Sequence, residues 1–371
     1  MHIPFCRSKC GYCSFTSETS WDVERERRLI ARLRGELSEH ADQLGQASTA
    51  YIGGGTPSVL SHVSIAALLS GITTTSPHIR EITLEANPES VTPELLAAAH
   101  AGGVTRLSVG VQSFSKNVLR AIGRKATAAH RLEAIRTRWP RALSADLIID
   151  TPGALPGDTI ATVRRAVDLG VDHLSVYSLS VEPGTALASR ASNDEYVLAE
   201  AEEDAILELL AVAGFERYEV SNFARPGFEC DHNVGYWRQR GYHGFGPSAV
   251  GTLYTGDEAL RITKTERVDT YLSGDQTAAT YERLDQFDLT VEHVMLGLRT
   301  REGVVSETMR SRYGWDLQHL APVALAMLLE QRLLTRSRGG FAATARGWRF
   351  LDGVLRQLIC EIRVNLDTLQ V

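Results

Sequence analysis

The sequence predicts an α/β protein: a partial (β/α) barrel of six strands followed by a small C-terminal α+β module of winged-helix-like character. Two observations predict the barrel. Short β-branched runs alternate with amphipathic helical stretches over residues 1 to about 180, which implies parallel strands joined by right-handed crossovers. The residues after several strands are glycines or polar heads, as expected where a ligand sits at the carboxyl edge of such a sheet. The module is predicted by a change of character from about Leu289, where short helices and one hairpin signal replace the alternation.

The first strand is the short run His2-Ile3, and a helix is predicted from Trp21 to His40. The strands Ala50-Tyr51-Ile52, Glu81 to Glu85, Arg106 to Val109, Asp146 to Ile149 and His173 to Tyr177 follow. Between them fall helices from Val63 to Gly71, Pro93 to His100, Ala128 to Arg138 and Thr159 to Asp168. Thr92-Pro93-Glu94 is a helix start, with a capping hydroxyl, a first-turn proline and an early acidic side chain. The division expected is barrel over 1–225, a glycine-rich segment over 226–288 and the helical module over 289–371. Pro226-Gly227 and Gly241 to Gly251 are expected to lie across the open edge of the barrel. In the module, Gln331 to Thr335 and Gly339 to Ala342 read as a hairpin before a helix from Thr344 to Leu358. Cys360 falls in an apolar register there, as inert packing.

A chain of 371 residues is long enough for a large core and a second domain. Its 43% hydrophobic content is ordinary for a globular protein. No apolar run reaches the length of about 18 residues that marks a membrane span. A net charge of −6 argues against a general nucleic-acid binder. The basic residues Arg25, Arg27, Arg28, Arg32 and Arg34 interleave with Glu24, Glu26 and Glu36, which reads as a solvated helix face. The opening His2-Ile3-Pro4-Phe5 lacks a basic region before an apolar one, so no signal peptide is expected.

Three of the five cysteines lie in one loop, Cys6, Cys10 and Cys13, spaced C-x₃-C-x₂-C. Three thiolates are one short of a closed zinc or iron–sulfur site. A disulfide pair would leave a spare thiol, and a mixed zinc site would need a distant histidine. A [4Fe–4S] cluster on three cysteines leaves one iron open to a small molecule, and that metal-binding reading places the chain in a reducing cytoplasm. Downstream, Gly53-Gly54-Gly55-Thr56-Pro57-Ser58 follows a strand and brings bare backbone groups near a ligand. It is not a nucleotide phosphate loop, because no Gly-Lys-Ser/Thr follows. Glu85 and Gln112 put polar heads at strand ends, where ribose hydroxyls or a carboxylate would lie. Taken singly, such a residue is more commonly a loop cap, but together the two form a constellation. Cys230 is expected to be a free buried thiol.

The cysteine spacing resembles that of the radical S-adenosylmethionine (SAM) superfamily. The runs His2-Ile3-Pro4-Phe5-Cys6, Gly53 to Pro57, Glu85-Ala86-Asn87-Pro88, Gly110-Val111-Gln112-Ser113-Phe114 and Asp146-Leu147-Ile148 resemble, in order and over nearly the whole chain, the oxygen-independent coproporphyrinogen III oxidase-like family. The resemblance implies that Cys6, Cys10 and Cys13 hold the [4Fe–4S] cluster, whose open iron is chelated by the methionyl amine and carboxylate of SAM. It assigns Tyr12, Gly54, Gly55, Thr56, Glu85, Gln112, Arg124 and Asp146 to SAM.

Two features choose a branch. Phe15 stands where the oxidases carry a further cysteine, and the chain begins inside its first strand where they have an extension. His232-Asn233-Val234-Gly235-Tyr236-Trp237 resembles the H-N-x-x-Y-W haem-binding signature of the haem-chaperone branch, HemW. That resemblance implies haem binding by His232, Asn233, Tyr236 and Trp237. From residue types alone, the same hexapeptide also reads as an asparagine-stabilised turn with Tyr236 and Trp237 in a core. A neutral imidazole is nonetheless a common haem ligand, and aromatic rings pack on porphyrins. Two departures from the family pattern stand out. The tyrosine that opens the family's first strand would precede Met1, and Asp150 replaces a glycine in D-L-I-x-G-x-P, where its side chain either crowds the SAM pocket or adds a contact.

The expected function is therefore haem binding and transfer to an acceptor protein, such as a respiratory enzyme at the membrane, on a core that binds a [4Fe–4S] cluster and SAM. The competing reading is SAM-dependent oxidative decarboxylation of coproporphyrinogen III in porphyrin biosynthesis, and a third is radical-SAM chemistry on another substrate. A cytoplasmic monomer or homodimer that binds no nucleic acid is expected.

Overall fold

The computed structural model describes residues 1–124, 128–190, 200–275 and 278–369. Eight strands form one sheet: β1 (His2–Ile3), β2 (Thr49–Gly54), β3 (Glu81–Ala86), β4 (Arg106–Gln112), β5 (Ala142–Ile149), β6 (His173–Ser178), β7 (Glu216–Arg217) and β8 (Asn222–Ala224). Their order is β1-β2-β3-β4-β5-β6-β8-β7. The first six run parallel, and β8 and β7 extend the edge antiparallel. The predicted strands and crossover helices are all present, with ends shifted by a few residues. The helices are Val23–Glu39, His62–Thr75, Pro93–Ala101, Ala128–Arg138 and Asp158–Asp168. Thr92 caps its helix as the sequence implies, its side chain accepting from the Leu95 amide at 3.2 Å.

Alternation along the strands decides what the barrel encloses. Leu107, Val109 and Val111 of β4 are buried in the main core, each worth roughly 1.5–3 kcal/mol on burial. Arg106, Ser108 and Gly110, the alternate residues, line the barrel cavity instead.

The glycine-rich stretch closes the free edge of β1. The His2 amide donates to the Phe245 carbonyl at 2.8 Å. Gly246, at φ +98°, lies against the His2 carbonyl so closely that no side chain fits. The buried carboxylate of Glu36 ties this segment to the first barrel helix, accepting from Tyr271 Oη at 2.6 Å and Lys264 Nζ at 3.1 Å. A three-stranded antiparallel sheet follows that the sequence reading did not anticipate: β9 (Val250–Thr255), β10 (Glu258–Thr263) and β11 (Thr280–Leu284).

The C-terminal module runs helix Gln286–Gly297, β12 (Val304–Val305), helices Ser306–Tyr313, Leu317–Leu320 and Pro322–Glu330, then the hairpin β13 (Leu334–Ser337) and β14 (Gly340–Ala343). The sheet order β12-β14-β13 is that of a winged helix. The module has its own core around Leu317, Leu325, Phe341 and Leu358. The last predicted helix is two, Ala345–Arg349 and Leu351–Leu369. Cys360 corrects the sequence reading: it is exposed. The buried face of its helix runs Val354, Leu355, Leu358, Ile362 and Leu366, and Cys360 falls outside that stripe. Among the described residues no helix is long and apolar enough to cross a membrane.

Candidate functional site: two cavities that share a wall

Cys6 follows β1 and is buried, while Cys10 and Cys13 are half-buried in the loop beyond, and all three thiols are free. The loop is pinned from both sides. The Gly11 amide donates to the Ile122 carbonyl at 3.2 Å, and the Leu187 amide donates to the Gly11 carbonyl at 2.7 Å. All three cysteines line one cavity of about 990 Å³ at the carboxyl ends of the parallel strands. The glycine turn meets the first thiol. The Gly55 and Thr56 amides donate to the Ile3 and Phe5 carbonyls, each at 2.8 Å. A Cβ on Gly55 would lie 2.8 Å from the Phe5 carbonyl oxygen and 3.1 Å from Cys6 Sγ, so only glycine leaves that space open. Arg124 places Nη1 at 3.6 Å from Cys10 Sγ. Burial pushes the Cys13 thiol up.

These residues fit a three-cysteine cluster: three thiols face one cavity, with bare backbone against one and a guanidinium on another. Among the described residues no three His, Cys, Asp or Glu side chains, these thiols included, converge on a single metal-ion position.

The eight positions assigned to SAM by resemblance, Tyr12, Gly54, Gly55, Thr56, Glu85, Gln112, Arg124 and Asp146, all line this same cavity. Glu85 accepts from Tyr51 Oη at 2.7 Å and from the Gly54 amide at 3.2 Å. Burial outweighs those donors and raises its carboxyl to about 7. Asp146 accepts from Ser108 Oγ at 3.0 Å, and burial pushes its carboxyl up as well. Gln112 has φ +67° at a register shift between β4 and β5, a bulge that re-aims its side chain. Asp150 has φ +54° and does not line the cavity. Asp150 thus occupies a left-handed backbone position, which costs a non-glycine residue about 1 kcal/mol, and it does not crowd the cavity. The sequence reading missed Arg106, His173 and Tyr177, which also line the cavity. Their signal was strand alternation, since Arg106 and Ser108, and His173, Ser175 and Tyr177, sit two residues apart.

The H-N-x-x-Y-W hexapeptide lies in the short helix Asp231–Trp237. Its faces point to different places, because successive residues turn by about 100°. His232 and Tyr236, four apart, line a second cavity of about 570 Å³. Asn233 lines the first cavity, together with the buried thiol of Cys230. Trp237 lines neither, and its buried indole N–H finds no partner among the described residues. The His232 imidazole shares hydrogen bonds at Nδ1 with Thr49 Oγ1 and at Nε2 with Tyr236 Oη, both 2.8 Å. It stacks on Tyr51 at 5.3 Å and 25°. Burial lowers its pKa to about 4, so it is neutral at pH 7. Tyr51, Gly54 and Glu85 line both cavities, so a single layer of side chains separates the thiol-lined space from His232.

Glu81, at the start of β3, is a functional residue that no local sequence signal reveals. Its carboxylate accepts from the Asp231 amide at 2.9 Å, the His232 amide at 3.0 Å and Cys230 Sγ at 3.5 Å. It thus caps the helix that carries His232, across 149 to 151 residues of sequence. Burial raises the Cys230 thiol to about 11, so it is protonated and donates here. Glu81→Ala is expected to cost about 1–2 kcal/mol, read from urea unfolding. An unchanged midpoint would contradict this role.

Residues 1–170 match the model of the Radical SAM superfamily, and residues 284–350 that of the HemN C-terminal domain. Heme chaperone HemW of Mycobacterium tuberculosis is 38% identical over 97% of this chain and 94% of its own length. Heme chaperone HemW of Escherichia coli is 31% identical over 97% of each chain. This chain belongs to the HemW family. Among solved structures, the HemW-family fold described here is similar to the coproporphyrinogen III oxidase HemN of Escherichia coli, with a TM-score of 0.78 over 96% of this chain and 88% of that one. At 21% identity that likeness shows the fold alone.

Proposed function

We propose that this chain is a haem chaperone: it takes up haem beside His232 and passes it to an acceptor protein, on a core that holds a [4Fe–4S] cluster and SAM. The observation that carries this reading is the end-to-end likeness, 31% and 38% over 97% of the chain, to proteins named heme chaperone. The neutral imidazole of His232, turned into a cavity among aromatic rings, supports it. The hydrogen bond between His232 and Tyr236, worth about 1 kcal/mol, is given up when iron takes the imidazole. It re-forms when haem leaves, so the emptied site keeps its nitrogens paired, as a protein that must release its cargo requires.

In the first cavity, Cys6, Cys10 and Cys13 would hold the cluster, which when bound supplies an open iron for the amine and carboxylate of SAM. The backbone of Gly54 to Thr56 and the carboxyls of Glu85 and Asp146 would position the rest of that ligand. The acceptor proposed is a respiratory enzyme at the membrane, and the carrier a cytoplasmic monomer or homodimer. Phe15, 66% exposed and lining the first cavity, puts an apolar ring where the oxidases of the wider family carry a cysteine, which favours carriage over porphyrinogen turnover.

Anaerobic titration of haem into the reconstituted protein tests the reading. One haem per chain is expected, with His232→Ala weakening binding about tenfold or more and leaving the iron–sulfide content unchanged. Coproporphyrinogen III supplied with SAM and a reductant should be recovered intact. Normal haem binding by His232→Ala overturns the site, and conversion to protoporphyrinogen IX overturns the chaperone reading.

A further inference from the structure

We infer that the second cavity seats the haem between two imidazoles, with His243 of the glycine-rich segment supplying the iron ligand opposite His232. This rests on the haem-binding reading above and adds to it a pocket and a second ligand. The choice of cavity follows from the helix: the His232 ring lines the 570 Å³ space and not the larger one. That volume is within the usual range of about 300–1,000 Å³ for small-molecule pockets. Its walls suit a flat apolar disc. Tyr51, Tyr236, Tyr242, Phe245 and Tyr254 all line it, and Tyr236 meets Tyr242 edge to face at 4.6 Å and 80°. Haem also carries carboxylates, and Arg240, held by Asp231 at 3.2 Å, lines the same space. The first cavity is built of thiols, carboxylates and guanidinium groups instead.

His243 is the imidazole with nothing else to do. Its ring lines the cavity and makes no hydrogen bond among the described residues, whereas His232 has both nitrogens engaged and His2 donates Nε2 to the Thr16 carbonyl at 3.0 Å. Its orientation is nevertheless fixed. The ring stacks on Phe245 at 6.1 Å and 19°, and meets His40 edge-on at 5.7 Å. The backbone beneath it is braced, because Tyr242 and Thr252 exchange amide-to-carbonyl hydrogen bonds at 2.9 Å in both directions. Gly244 and Gly251 permit that approach: a Cβ on Gly251 would lie 2.8 Å from the Gly244 nitrogen. Burial and the neighbouring His40 and Lys264 keep the ring neutral, the form that binds iron.

Ferric haem titrated anaerobically into the full-length protein, with absorbance and electron paramagnetic resonance recorded, tests the inference. The wild type should be six-coordinate and low-spin. His243→Ala should become five-coordinate and high-spin, retaining one imidazole and losing affinity about tenfold, and His243→Met should restore six-coordination with a shifted spectrum. Thermal melts of the haem-free variants should match the wild type. If His243→Ala keeps the wild-type spectrum while His232→Ala changes it, the second ligand is wrong and the His232 site stands. If both variants keep it, the haem-binding reading itself fails.

Discussion

The protein with Cys6, Cys10 and Cys13 all replaced by alanine is expected to hold no iron–sulfur cluster after anaerobic reconstitution, and each single replacement is expected to lose most of it. The expectation follows from where the thiols lie. The three sit on one loop and line one cavity, which Cys230 also lines, but no other cysteine belongs to that loop. Cys230 is buried, with its thiol donated to Glu81 at 3.5 Å. Cys360 is exposed on the C-terminal module. The fold should survive, because Cys10 and Cys13 lie outside the core and Cys6→Ala removes one small side chain at a cost of about 1 kcal/mol. Iron and sulfide analysis with circular dichroism on the same sample separates cluster loss from unfolding. A full cluster in the triple variant, or stoichiometric zinc in the wild type, would sink the assignment.

The barrel was readable because each of its signals is local. Val, Ile and Leu recur in short runs, Thr92 caps a helix that Pro93 begins, and glycine marks the turn after β2. What was missed depends on contacts distant in sequence or on turn chemistry passed over. Gly256-Asp257 is a two-residue hairpin loop joining β9 to β10, a recognised turn signal that lay inside a segment read only as glycine-rich. The cavity-lining role of Arg106 and His173 was present in strand alternation, yet an arginine and a histidine among apolar residues give no sign of which face encloses a ligand space. Glu81 could not have been found at all, since its role exists only once β3 lies beside residues 230–232. The hexapeptide taught the opposite lesson. Its residues are contiguous in sequence, but a helix turns them apart, so His232 and Asn233 face different cavities.

Glu85→Gln is expected to make the ligand-free protein more stable at pH 8 while weakening SAM binding by about a hundredfold. The carboxyl titrates near 7 in the folded chain instead of at its ordinary 4.5, chiefly through burial and in part through the charge of Asp146. The folded state therefore holds this proton more tightly than the unfolded chain does. Stability falls as pH rises from 4.5 to about 7 and is level above that. At 1.36 kcal/mol per pH unit the full cost is roughly 3 kcal/mol. Glutamine removes the charge and keeps an oxygen for Tyr51, but it turns an amide NH₂ toward the Gly54 N–H, leaving a net gain of about 1–2 kcal/mol. The melting temperature should rise by about 2–8 °C at pH 8, with the gain vanishing below pH 5. SAM carries positive charge at its amine and sulfonium, so its affinity for the wild type should fall up to about tenfold for each pH unit below 7. For Glu85→Gln, equilibrium dialysis should show weak binding with no such slope. A variant that melts lower than the wild type at pH 8 would show that burial of the Glu85 charge is not costly, and one that binds SAM with the wild-type pH profile would show that Glu85 is not part of the SAM site.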